Sequence, residues 1–225
     1  MKKFVSLVIL SMFVLPTMSF SVEKTWARNC VHEKPQPKRC RKMCNPTRWS
    51  IQARGAAFIP LQEKLREIYG TGWPTVELES SYRLMDNLGG KCNQLLLWEN
   101  VGYTFTSGES IGFGYYTNLN LFPVSIGIEY VANIIDGFDA YLGIGPSYNF
   151  LWIENYDGFS TTHMFRNQFG FTTKTGFRYT FCTHMFIDVY GDYFFTQFNK
   201  MHDPIQNIDN HFSAFIVGGG FGARF

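Results

Sequence analysis

The sequence predicts an all-β chain: an eight-stranded antiparallel up-and-down transmembrane β-barrel entered through an irregular N-terminal arm. Three observations carry that reading. From Trp49 to Phe225, apolar and polar residues alternate with a period of two in segments separated by turn residues, which is the pattern of half-buried strands. Aromatics reach 18% of the chain while charged residues are only 17%, against roughly 25% charged in ordinary domains, so something apolar has to receive the rings. The chain closes on HFSAFIVGGGFGARF, a strand-like run in which every second residue is apolar or small.

The elements follow in order. Lys2 and Lys3, the apolar run Phe4 to Leu15 and Ser19-Phe20-Ser21 predict a signal peptide over 1–21, cleaved after Ser21. Its apolar core is shorter than the roughly 20 residues a spanning helix needs. Residues 22–48 hold eight Lys/Arg and two acids, with EKPQPKRCRKMCNPT showing no periodicity. They are expected to form a basic, extended or disordered arm. Residues 49–225 hold ten bases and sixteen acids, so a basic arm precedes an acidic body.

The first strand is expected over Trp49 to Phe58, then a loop whose Leu61, Leu65, Ile68 and Tyr69 suit one short helix. The second, Thr75 to Met85, sets Val76, Leu78, Tyr82 and Leu84 against Glu77, Glu79, Ser81 and Arg83. The third, Cys92 to Thr106, has Leu95, Leu97, Val101, Tyr103 and Phe105 on one face; Glu99 breaks the pattern and predicts a bulge or a strand end. The fourth, Asn118 to Val131, alternates from Phe122 to Tyr130, with Leu119 and Leu121 out of phase. The fifth runs from Phe138 to Trp152 through Pro146, the sixth from Phe165 to Phe181, the seventh from Ile187 to Thr196 and the eighth from His211 to Phe225.

An eight-stranded interior has room for little more than a layered side-chain filling, and some twenty rings on one face do not fit it. The polar face, rich in Gly, Ser and Thr, therefore points inward. That places Arg54, Arg83, Arg166, Lys174, Arg178 and Arg224 in the lumen with Glu77, Glu79, Glu129, Asp139, Asp188 and Asp192. Six charges of each sign is the balance that pairing in a narrow interior requires.

From Trp49 to Phe225 the chain resembles the small eight-stranded outer-membrane β-barrels, the opacity-protein and OmpX-like superfamily. The last strand carries much of the likeness, with Phe215, Val217, Phe221 and the terminal Phe225 on its apolar face. The resemblance implies that these residues are an assembly signal for the barrel-assembly machinery, and that the protein lies in outer-membrane lipid of a bacterial cell. Termini and short turns would be periplasmic, at Asp86–Lys91, Ala132–Gly137 and Cys182–His184, with longer outer loops at 59–74, 107–117, 154–163 and 200–210.

On that topology Cys30, Cys40, Cys44, Cys92 and Cys182 are all periplasmic, where disulfides form. An odd count leaves at least one thiol for another chain once the others pair, so disulfide-linked envelope proteins are expected partners. A zinc site from Cys30, His32, Cys40 and Cys44 fits no familiar ligand spacing. The arm suits anionic lipid or cell-wall polymer; nucleic acid does not belong to this compartment. Some barrels of this group modify lipid A, and His211-Phe-Ser213 pairs an imidazole with a hydroxyl, but no acidic residue follows to orient the histidine. No catalytic residue, metal or cofactor is therefore expected. Two functions remain: a structural or adhesin-like barrel that displays loops to a surface ligand, or a narrow porin-like barrel.

Overall fold

The structure is a computed structural model that describes residues 47–90, 92–109, 114–181, 184–197 and 211–225. The expected signal peptide and nearly all of the arm lie outside the described residues. Eight strands follow one another as β1 (Trp49–Pro60), β2 (Trp73–Asp86), β3 (Gln94–Glu109), β4 (Tyr116–Ile135), β5 (Phe138–Tyr156), β6 (Thr161–Thr180), β7 (Met185–Gln197) and β8 (His211–Arg224). Each pairs antiparallel with its neighbours in sequence, and β1 pairs with β8, so the sheet closes into a barrel. Among the described residues one helix, α1 (Glu63–Tyr69), lies in the β1–β2 connection, where the leucine and tyrosine spacing predicts it.

The seam between β1 and β8 is paired without a break from Ser50↔Arg224 to Pro60↔Ala214. The Trp49 N–H donates to the Phe225 carbonyl at 3.0 Å and the Phe225 N–H returns to Trp49 at 2.9 Å. The terminal phenylalanine thus ends the seam between first and last strand, with its ring on the outer surface. The turn beside β3 depends on Asn87, at φ 59, whose Oδ1 accepts from the Cys92 N–H at 3.0 Å. An asparagine tolerates this left-handed backbone because its side chain bonds locally.

The outward face is apolar throughout the middle of the barrel: Val76, Leu78, Ile126, Ile128, Leu142, Ile144, Phe171 and Val189 are each about half exposed or more. Aromatic pairs band both ends, Trp49–Tyr82, Phe138–Phe177 and Phe181–Phe221 at the terminal end, and Tyr103–Phe105, Trp152–Phe165 and Tyr193–Phe215 at the other. An apolar belt between aromatic girdles is the surface of a membrane-spanning barrel.

The strands depart from the sequence reading in several places; β4 runs on to Ile135, so the expected Ala132–Gly137 turn narrows to Asp136 and Gly137. Glu99 sits at neither a bulge nor a strand end; it stands mid-strand, in unbroken register with Ser80 on one side and Ile126 on the other. The register shifts fall instead at Arg83/Met85 and Asn133/Ile135. Leu119 and Leu121 do not interrupt the alternation of β4, because they point inward and are fully buried. Pro146 is accommodated where the β4–β5 pairing skips from Ser125↔Ser147 to Ile128↔Ile144, since a proline has no N–H to give the ladder.

The glycines of β8 have a packing reason. A Cβ on Gly220 would run into the Asp188 carboxylate and approach the Arg54 Cγ to 2.9 Å; one on Gly222 would run into Phe186 and approach the Gln52 Cβ to 2.8 Å. Bare backbone on β8 leaves room for the large inward side chains of β1 and β7.

Candidate functional site: a filled lumen beneath a projecting hairpin

Arg54 is the hub of the interior. Its Nη1 lies 3.0 Å from Glu79, 3.2 Å from Asp192 and 3.3 Å from Glu77, and its Nε lies 3.7 Å from Asp188. The guanidinium also stacks on Tyr190, 3.2 Å from the ring centre. Lys174 bonds to Glu79, lies 3.5 Å from Glu129, and sits over the Trp98 ring. Arg178 meets Glu129 at 3.5 Å between Tyr141 and Phe186, and nearer the terminal end Arg224 meets Asp139 at 3.3 Å.

Neutral donors supplement the cations. The Tyr190 hydroxyl donates to Glu77 at 3.2 Å, Asn100 donates to the same oxygen at 3.3 Å, and the Tyr141 hydroxyl donates to Asp188 at 3.0 Å. Arg83 engages Asp86 at 2.9 Å and the Thr47 carbonyl. Arg166 is a correction: it has the inward parity of β6 but is exposed, because β6 continues past the point where β7 stops pairing with it. The six-against-six balance does not describe this lumen, which uses phenols and an amide where the sixth cation was expected.

The charged filling ends partway up. Above it Phe58, Trp73, Phe194 and Phe212 pack ring to ring, with centroids 5.2–6.2 Å apart. Leu119, Leu121, Leu151, Ala214 and Ile216 belong to the same buried cluster, which continues to Tyr141 and Tyr190 of the charged layer, and Leu65 and Tyr69 of α1 pack against it. This corrects the expectation of a polar lumen: the end nearest the long loops is stoppered by aromatics. Two cavities beside the charged layer measure about 20 and 10 Å³, space for about one water each. The Tyr69 hydroxyl bonds to Thr117 at 2.9 Å, and burial pushes its phenol above the ordinary value.

On the loop side, the β5–β6 hairpin outreaches its neighbour. β6 pairs with β5 from Thr161 onward but with β7 only from Gly170, so Thr161–Phe169 present an edge without a ladder partner among the described residues. The tip is stiffened by Asp157, whose carboxylate accepts from the Phe159 N–H at 2.9 Å, the Ser160 N–H at 2.7 Å and the Ser160 hydroxyl at 2.9 Å. Those bonds hold the Asp157 carboxyl below the usual carboxylate range. Gly158, at φ 91, turns the chain and Phe159 is left 95% exposed.

Phe215, Val217, Phe221 and Phe225 all lie on the outer surface, each about half exposed. Cys92 is buried and disulfide-bonded; Cys30, Cys40, Cys44 and Cys182 lie outside the described residues. Ser213 accepts a hydrogen bond from the Gln62 Nε2 at 3.2 Å. Sequence reasoning missed the buried aromatic cluster and the stiffened tip. Asp157-Gly158 was a legible turn signal, whereas the rings of the cluster come from separated strands.

No protein-family model matches the chain, and no curated protein sequence matches it. Solved structures do. The outer membrane protein OprG from Pseudomonas aeruginosa aligns with 15% identity and a TM-score of 0.55, over 82% of this chain and 98% of that one. Neisserial surface protein A aligns with 17% identity and a TM-score of 0.53, over 79% and 97%. The chain has the fold of the small eight-stranded outer-membrane β-barrels.

Proposed function

We propose that the chain is a non-enzymatic barrel of the bacterial outer membrane with a structural, adhesin-like role, presenting its β5–β6 hairpin to a surface ligand. The observation that carries this reading is the hairpin itself. A turn cross-braced by Asp157 holds Phe159 fully in solvent, and large exposed aromatics on rigid supports are what binding surfaces use as anchors. The lumen argues in the same direction: a charged layer under an aromatic stopper leaves no room for a diffusing solute, so a porin-like role has less support. The remaining finer expectation is periplasmic cross-linking. With Cys92 in a disulfide, three of the five cysteines remain, and three thiols cannot all pair within one chain.

The test uses cells that display the protein, measured for adhesion to immobilised serum and matrix proteins, alongside planar-bilayer conductance of the purified barrel. Phe159→Ser should lower adhesion at least about fivefold, as loss of a hot-spot aromatic does, while the bilayer stays silent. Stepwise conductance with unchanged adhesion would favour the narrow-pore alternative. Gels of samples alkylated before lysis, run with and without reductant, test the cross-linking.

A further inference from the structure

We propose that two copies of this barrel associate side by side within the membrane through the outward faces of β2 and β3, centred on Ser80 and Glu99. Along β3 the outward residues are Leu95, Leu97, Glu99, Val101, Tyr103 and Phe105, so the acid stands inside the apolar belt with apolar residues above and below. Its partner in register is Ser80 of β2, also outward and partly buried. Neither side chain makes a hydrogen bond or an ion pair among the described residues. Ile51 and Ile126 flank the two in the same row, with Leu78 and Val101 above and Tyr82 and Leu97 below.

Lipid tails offer a carboxyl no donor, and an acid left unpartnered in the belt is unfavourable. Its short stem cannot carry the carboxyl past the leucines and valine on its own strand to reach water. A second copy supplies what is missing. Two barrels inserted in the same direction can be related by a two-fold axis along the membrane normal, which exchanges left and right on the touching faces. An axis between β2 and β3 brings Glu99 of each copy to Ser80 of the other, giving two equivalent hydroxyl-to-carboxyl hydrogen bonds inside an apolar surround. The small serine leaves space for the longer glutamate opposite, so the pair is complementary in shape as well as polarity. No outward Lys or Arg interrupts these rows. The contact also needs no thiol, because Cys92 sits at the turn below β3.

Sedimentation equilibrium of the full chain, in excess reductant, in detergent and again in phosphatidylcholine nanodiscs large enough for two barrels, tests this. The wild type should dimerise reversibly. Glu99→Leu combined with Ser80→Ala should weaken dimerisation about tenfold or more, as expected for two lost intramembrane hydrogen bonds. Glu99→Gln should retain it, because the amide still accepts from Ser80. Leu142→Ala, on β5, should leave it unchanged. The unboiled gel shift of each variant separates lost association from lost folding. A wild type that stays monomeric in both media overturns the proposal, as does a Glu99→Leu/Ser80→Ala variant that dimerises as well as the wild type. Capture through Glu99 of a different protein or a cationic lipid, with the barrels remaining apart, overturns it equally.

Discussion

The two halves of the lumen are built from the same strands with the same inward parity, yet one is filled with charge and the other with aromatic rings. In the charged half, Arg54, Lys174 and Arg178 are enclosed by carboxylates, phenols and the faces of Trp98, Tyr141 and Tyr190. In the stoppered half, Phe58, Trp73, Phe194 and Phe212 pack on one another, with Leu65 and Tyr69 of α1 against the cluster. The difference shows two ways of excluding water from a narrow interior. Charges do so when every one has partners, and then they depend on each other; rings do so individually, and each loss leaves a local hole.

Breaking the hub should have the largest effect. Arg54→Met removes the group that four carboxylates share, and an uncompensated buried charge typically costs about 3–5 kcal/mol. Urea titration in lipid vesicles should show that loss. Adding Glu77→Gln and Asp192→Asn to the same variant should restore much of it, which no steric explanation of the first result would predict. In the stopper, Phe58→Ala should cost about 3 kcal/mol by the same titration, with no rescue from Glu77→Gln and Asp192→Asn, because the partners of Phe58 are rings and not carboxylates. The smallest effect sharpens the contrast from the backbone. Gly220→Ala forces a methyl against Asp188 and Arg54 and should cost about 1–3 kcal/mol, whereas Gly191→Ala meets nothing within 4 Å and should change stability by no more than about 0.5 kcal/mol.

Much of this architecture was legible because strand geometry has a simple period. Alternation alone assigned the faces of β2, β6 and β8, and it put Glu77, Glu79, Lys174 and Arg178 inside. It failed where parity is not sufficient. Leu119 and Leu121 looked out of phase only because a polar lumen was assumed along its whole length, and Glu99 looked like a bulge because an outward acid was not expected in an apolar belt. Arg166 kept the right parity but lost its lumen, since β7 ends before reaching it.

The sequence by itself determined the strand count, the alternation and therefore which side of each strand faces in, because a side chain's face follows from its position along its own strand. Only the tertiary structure decided which inward residues share a layer. That depends on register and on where neighbouring strands stop, quantities set between segments far apart in the chain. Phe58 stands in register with Ile216 of β8, and its ring comes within 5.7 Å of Phe212, four residues earlier on the same strand. Arg54 finds Asp188 and Asp192 because β7 lies on the far side of a glycine-bare β8. A single strand's pattern carries no information about its partner's offset, so the stopper, the hub and the projecting hairpin arise only when the barrel closes.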